Sequence, residues 1–160
     1  NTGIDDRDGA GTTAGSDAET FAANATWYTT PPPSYPVVNG ITTRALYQTD
    51  NSSKTFNILT PSSFPSGKHL RVVLTWDSNA RTNITRNDLT DLDLSFVADY
   101  SITYTSASDN ANVEMVDVSP TWLTPNTTYQ ATVSHTVNRI PVGGHTYYCV
   151  AWTWVKSHAD

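Results

Sequence analysis

Residues 91–96 alternate strictly between polar and apolar side chains, and this pattern constrains the fold more than any other feature of the sequence. Successive side chains of a β-strand point to opposite sides, so Leu92, Leu94 and Phe96 would share one face and the intervening polar residues the other. A helix would distribute the same residues around its circumference. The segment is therefore predicted to be a strand that faces a core on one side and solvent on the other.

Similar short segments recur along the chain, separated by turns rich in Pro, Gly, Asn and Asp. The predicted strands cover residues 21–28, 41–48, 53–59, 70–76, 91–98, 101–105, 112–118, 128–135 and 147–156. Threonine is the most abundant residue, and its β-branched side chain favours strands over helices. The chain is therefore predicted to be all-β, an antiparallel β-sandwich of about eight to nine strands. The nearly continuous apolar run at 70–76 predicts a central strand that is covered on both faces or lines the sandwich core.

A length of 160 residues is enough for one such domain. Residues 37–160 are predicted to form the sandwich. Residues 1–36 are predicted to be a polar N-terminal segment that ends in a Pro-rich connector, because prolines at 31, 32, 33 and 36 cannot donate to a sheet ladder.

Composition excludes several classes of function. The net charge is −6, and the nine Lys and Arg residues form no basic run, so no nucleic-acid partner is expected. No apolar stretch approaches the roughly 18 residues of a membrane span. The chain has no Gly-x-Ser-x-Gly nucleophile motif, its four His are scattered, and Cys149 lies within a predicted strand. We therefore expect no intrinsic enzymatic activity.

Oxygen-bearing side chains cluster on both sides of the connection between the strands at 70–76 and 91–98. Ca²⁺ prefers six to eight such oxygens, and the carboxylates would repel one another without a cation. The candidate ligands are Asp77, Asn79, Asp88, Asp91 and Asp93. The alternative is a solvated acidic loop, because Asp and Asn also favour turns.

Tryptophans suggest a second kind of site, in which flat rings stack on sugar rings. Trp122 follows Pro120 in a turn-like stretch, and Trp27 precedes the Pro-rich run, so both are candidates for an exposed platform. Trp152 and Trp154 share one face of the last strand and are candidates as well. That face would alternatively belong to the core, since large aromatic side chains often fill sandwich interiors.

Three segments of the chain match a known pattern in the same order. They are Leu-Arg-Val-Val-Leu-Thr-Trp-Asp at 70–77, Asn-Asp-Leu-Thr-Asp-Leu-Asp-Leu at 87–94 and Asn-Val-Glu-Met-Val at 112–116. A Pro-bearing turn and a Thr-Tyr strand follow at 123–133, and the last strand fits at 147–154. Over residues 41–155 the chain resembles the C-terminal β-sandwich domain of secreted subtilisin-like serine proteases, of the jelly-roll or pre-peptidase C-terminal type.

The resemblance implies a jelly-roll sandwich in a secreted, extracellular protein, with calcium near the Asp-rich loop. The segment Asp-Asp-Arg-Asp-Gly-Ala-Gly at 5–11 also resembles the opening of the last helix of such catalytic domains. The resemblance therefore implies an adjacent catalytic domain in the parent chain as a partner. It also implies roles in stabilising that domain or in binding a substrate polymer.

Two functional hypotheses result from the sequence. The first is a non-catalytic, calcium-binding accessory domain of a secreted subtilisin-like protease, which aids stability or binds a polysaccharide or protein polymer. The second is a carbohydrate-binding module that uses surface tryptophans.

Overall fold

The computed structural model describes residues 27–28, 38–47, 53–76, 90–107, 112–137 and 145–156. Within these residues the chain forms nine β-strands, one single-turn 3₁₀ segment at 120–122, and a turn at 99–101. The strands are β1 (Trp27–Tyr28), β2 (Gly40–Tyr47), β3 (Lys54–Leu59), β4 (Lys68–Trp76), β5 (Asp91–Val97), β6 (Thr103–Ser106), β7 (Val113–Val118), β8 (Thr128–Val137) and β9 (His145–Lys156). The all-β prediction is confirmed, and each boundary from β2 onward falls within two residues of its predicted position.

The strands form two sheets with the orders β1-β2-β9-β4-β7 and β3-β8-β5-β6. Strand β2 pairs with β9, β3 with β8, β4 with β7 and β5 with β6, so the chain is a nested series of antiparallel pairs. Pairs β4–β9 and β5–β8 complete the sheets. This order is that of a jelly roll, which confirms the predicted sandwich. The short β1 pairs with β2 in parallel and lies before the predicted domain start at residue 37.

The core lies between the two sheets and is built from alternate residues of the facing strands. Its members include Phe56, Ile58, Leu70, Val72, Leu74, Leu92, Leu94, Phe96, Val116, Val118, Ala131 and Val133. Strand β5 buries Leu92, Leu94 and Phe96, as its alternation predicts. Strand β4 is central, but it buries only its inward residues fully, while Thr75 on its outer face is exposed. Of the two alternatives for residues 70–76, the structure therefore shows a strand that lines the sandwich core.

Three connections meet at one end of the sandwich, which we call the lower end. They are residues 60–67, 98–102 and 119–127. The Thr60 hydroxyl donates to the Thr124 carbonyl at 2.7 Å, and the Asn126 amide donates to the Pro61 carbonyl at 3.2 Å. These bonds tie the 60–67 and 119–127 connections to each other. Strand β4 ends and β5 begins at the opposite, upper end.

Candidate ligand-binding site at the lower end

The turn between β5 and β6 holds an exposed tyrosine in an unusual backbone conformation. Tyr100 has φ of 57° and Ser101 has φ of 61°, in the left-handed region that side chains other than Gly, Asn and Asp rarely adopt. The Ala98 amide closes the turn by donating to the Ile102 carbonyl at 2.8 Å. The Tyr100 side chain is 87% exposed. Strained backbone that presents an aromatic ring to solvent is typical of binding sites.

A tryptophan from the next connection lies beside this tyrosine. Pro120 begins the single 3₁₀ turn at 120–122, and the Ser119 hydroxyl caps it by accepting from the Thr121 amide at 3.3 Å. This turn places Trp122 38% exposed, with its ring centroid 6.4 Å from that of Tyr100 and the two ring planes at 86°. The perpendicular rings therefore form an aromatic corner, which we define as Tyr100 and Trp122.

Hydrogen bonds from the core hold the base of the aromatic corner. The Tyr129 hydroxyl donates to Asp99 Oδ1 at 2.8 Å and accepts from the Thr124 amide at 2.6 Å. The Thr124 hydroxyl donates to Asp99 Oδ2 at 2.8 Å. Tyr129 is buried against Phe96, with ring centroids 5.7 Å apart. Both connections that carry the corner are thus fixed to one buried side chain.

Burial raises the pKa of Tyr129, and the hydrogen bond that Tyr129 donates to Asp99 also favours the neutral phenol. The Tyr129 hydroxyl therefore remains a hydrogen-bond donor at neutral pH. Its link to Asp99 persists under the conditions in which a ligand would bind.

The tryptophans singled out by the sequence occupy different environments. Trp122 is exposed at the lower end, as predicted. Trp152 and Trp154 are only 2% and 4% exposed and belong to the core, so the core alternative applies to that face of β9 and neither ring is available to a ligand. The backbone of Trp27 lies in β1, whereas its ring lies outside the described part of the structure.

The predicted calcium ligands are only partly described. Asp91 and Asp93 both lie on the outer face of β5, half-buried, as the alternation predicts. Asp77, Asn79 and Asp88 lie outside the described residues. Among the described residues, no three His, Cys, Asp or Glu side chains are grouped closely enough to hold a metal ion. The calcium site therefore stays a prediction.

The outer face of the other sheet carries an ion-pair cluster on β4 and β7. Arg71 donates from Nε and Nη2 to the two carboxylate oxygens of Asp117, each at 2.7 Å, and His69 Nε2 lies 3.2 Å from Asp117 Oδ1. Burial raises the pKa of Asp117, but the hydrogen bonds from Arg71 and His69 outweigh it and lower the pKa to about 2. Arg71 and Asp117 are register partners on the adjacent strands β4 and β7. Pairing between neighbouring strands therefore explains this cluster, and no ligand is needed to account for it.

Sequence reasoning missed Tyr100 and Asp99. The segment Asp-Tyr-Ser between two alternating strands marks a turn. The sequence gives no sign that this turn adopts positive φ, or that it meets residue 122 in space. A tyrosine between turn-forming residues is the one signal that could have pointed to an exposed ring.

No model of a known protein family matches this chain, and no curated protein matches it either. Within the described ranges there is no helix of the length and hydrophobicity that a membrane crossing requires.

Proposed function

We propose that this chain is a non-catalytic binding module that recognises a polysaccharide through the aromatic corner at its lower end. The observation that carries the proposal is the exposed pair of Tyr100 and Trp122, held at 86° by a strained turn. Exposed Trp and Tyr that are rigidly held supply binding energy at a low cost in conformational entropy.

The chemistry of the corner suits a sugar chain. One ring can stack on the apolar face of a sugar residue while the other contacts its edge, because the two planes are nearly perpendicular. Hydroxyl groups border the rings: Ser101 and Thr121 are both exposed and can bond to sugar hydroxyls. This combination of apolar rings and neutral polar groups favours a carbohydrate over a charged polymer.

The variant Trp122→Ala is expected to lose about tenfold or more in affinity, since truncating a central aromatic contact costs about 2 kcal/mol or more. Affinity electrophoresis and pull-down with soluble and insoluble glycans measure this loss. The matched control is Tyr147→Ala, which removes an aromatic ring that is about half exposed at the other end of the sandwich. Equal retardation of the wild type, Trp122→Ala and Tyr100→Ala on every glycan would contradict the proposal.

A second candidate is the calcium-binding accessory domain of a secreted subtilisin-like protease, with the adjacent catalytic domain as its partner. It is favoured by the placement of Asp91 and Asp93 on one outer face, beside the connection that holds the other candidate ligands. In that role the aromatic corner would bind a protein polymer such as collagen instead of a glycan. Including collagen in the pull-down therefore separates the two candidates.

Calcium is expected to raise the melting temperature if the second candidate is correct. An ion present at a hundredfold excess over its Kd stabilises the native state by about 2.7 kcal/mol, which corresponds to about 5–10 °C for a domain of this size. Differential scanning calorimetry in millimolar calcium and in chelator measures the shift, with magnesium at equal ionic strength as the control. Identical melting curves in calcium and in chelator would exclude a structural calcium site.

A further inference from the structure

The angle between the two rings of the aromatic corner limits the shape of a ligand that contacts both. The ring centroids of Tyr100 and Trp122 lie 6.4 Å apart, and the two ring planes meet at 86°. A flat surface can stack on only one of two perpendicular rings. A chain that stacks on both rings must therefore turn between one of its units and the next.

Hydrogen bonds at the base of the corner join the two connections that carry the rings. The Tyr129 hydroxyl donates to Asp99 Oδ1 at 2.8 Å and accepts from the Thr124 amide at 2.6 Å. The Thr124 hydroxyl makes a second link, to Asp99 Oδ2 at 2.8 Å. Asp99 directly precedes Tyr100, and Thr124 lies two residues after Trp122. Moving the two connections to bring the rings into one plane would break these bonds, so the angle is set before a ligand binds.

Glucan chains differ in the property that this angle selects. In an extended, ribbon-like chain such as cellulose, successive sugar rings are nearly coplanar and match a flat platform of aromatic rings. In a helical chain such as amylose or laminarin, successive sugar rings are inclined to one another. Adjacent sugars of a helical chain can therefore stack on two aromatic rings that are not coplanar.

We propose that the aromatic corner selects helically curved glucan chains over flat, ribbon-like ones. This inference rests on the proposed polysaccharide function and adds the class of glycan to it. Trp122 stacks on one sugar residue and Tyr100 on its neighbour, and Tyr129 is a positioning residue that holds the angle between them. A ribbon-like chain reaches one ring only and lacks the contribution of the other.

Affinity electrophoresis of the full chain tests this selectivity in gels that contain soluble starch, laminarin or hydroxyethyl cellulose. Soluble starch is an α-linked and laminarin a β-linked curved glucan, so these two arms distinguish the linkages. Hydroxyethyl cellulose is the ribbon-like arm, and a pull-down with microcrystalline cellulose adds a flat crystal face. We expect at least one curved glucan to bind about tenfold or more tightly than hydroxyethyl cellulose, because the loss of one central aromatic contact costs about that factor.

The variant Tyr129→Phe tests the positioning role. It keeps the ring that packs against Phe96 and removes the hydroxyl that joins the two connections. Affinity for the curved glucan is expected to fall about fivefold, while affinity for hydroxyethyl cellulose stays the same, because a single ring still serves a ribbon-like chain. Tyr148→Phe is the matched control: it removes a hydroxyl from another buried tyrosine, which pairs with Trp76 at the upper end, and should leave all affinities unchanged.

The outcomes separate this inference from the function on which it rests. If no glycan binds, the proposed function and the inference both fail. If a glycan binds but neither curved glucan does, or if a cellulose arm binds as tightly as the better curved glucan, only the inference fails. An equal loss of affinity for curved and ribbon-like chains in Tyr129→Phe would contradict the positioning role. Circular dichroism shows that each variant is folded, and Thr124→Val, which removes the second link to Asp99, provides the test if Tyr129→Phe does not fold.

Discussion

The variant Trp152→Ala is expected to lower the free energy of unfolding by about 3–5 kcal/mol, because it removes a large side chain from a core that can collapse only partly around the cavity. The Trp152 ring also covers a close approach of the backbone. Gly40 is its register partner on β2, and a Cβ there would lie 2.5 Å from Cζ2 of the ring. Loss of the ring would therefore expose the β2 backbone at Gly40 and leave a cavity in the core.

Urea denaturation measures this effect as a shift of the midpoint, with the m-value as a check that two-state behaviour is retained. Trp122→Ala is the matched control, since its ring is partly exposed and lies beside the exposed Tyr100. We expect it to cost less than about 1 kcal/mol. A loss for Trp152→Ala as small as that of Trp122→Ala would contradict the assignment of Trp152 to the core.

The variant Ser106→Ala is expected to lower the free energy of unfolding by about 3 kcal/mol, a large effect for the loss of one hydroxyl. The Ser106 hydroxyl donates to Oε2 of Glu114 and accepts from the Met115 amide at 3.2 Å. Glu114 is buried on the inward face of β7, so its carboxylate would keep the cost of burial while losing this donor. Ser106 and Glu114 belong to different sheets, and their bond joins the two edges of the sandwich.

The mechanism is isolated by repeating the serine change in a Glu114→Gln background. The neutral amide has a smaller desolvation cost, so the effect of Ser106→Ala should fall to about 1 kcal/mol in the double variant. Thr105→Ala is the matched control on the same strand, because Thr105 is exposed and should change stability by less than about 0.5 kcal/mol. An equal cost of Ser106→Ala in both backgrounds would mean that the carboxylate is not responsible.

The strands could be predicted because their evidence is local. Alternation of the kind seen in β5 places Leu92, Leu94 and Phe96 on one face whatever the neighbours are, and the same rule assigned Trp152 and Trp154 to a shared face. The rule does not say which face is buried when both carry large side chains. For β9 the tertiary structure decided it: Trp152 and Trp154 both belong to the buried core, and Phe64 of the 60–67 connection stacks on Trp154 with ring centroids 5.2 Å apart.

The candidate sites could be predicted less well, because they depend on contacts between distant segments. Trp122 could be recognised as exposed from the proline turn before it. Its partner Tyr100 is 22 positions away in sequence, and the two rings meet only because the β5–β6 and β7–β8 connections are hydrogen-bonded through Tyr129. Arg44 lies on a strand whose sequence pattern is amphipathic. No local feature of that pattern indicates that the guanidinium carbon lies 4.9 Å from the centroid of the Phe56 ring on the other sheet.

The sequence by itself determined the strand segments and the all-β class, since side-chain period and turn residues act within a few positions of one another. The resemblance of its motifs added the expectation of a jelly roll, and the pairing order bears this out. Only the tertiary structure decided which tryptophans are buried, which turn adopts positive φ, and which two exposed rings meet at the lower end. These properties arise from packing one sheet on the other, a long-range event that local propensity does not encode.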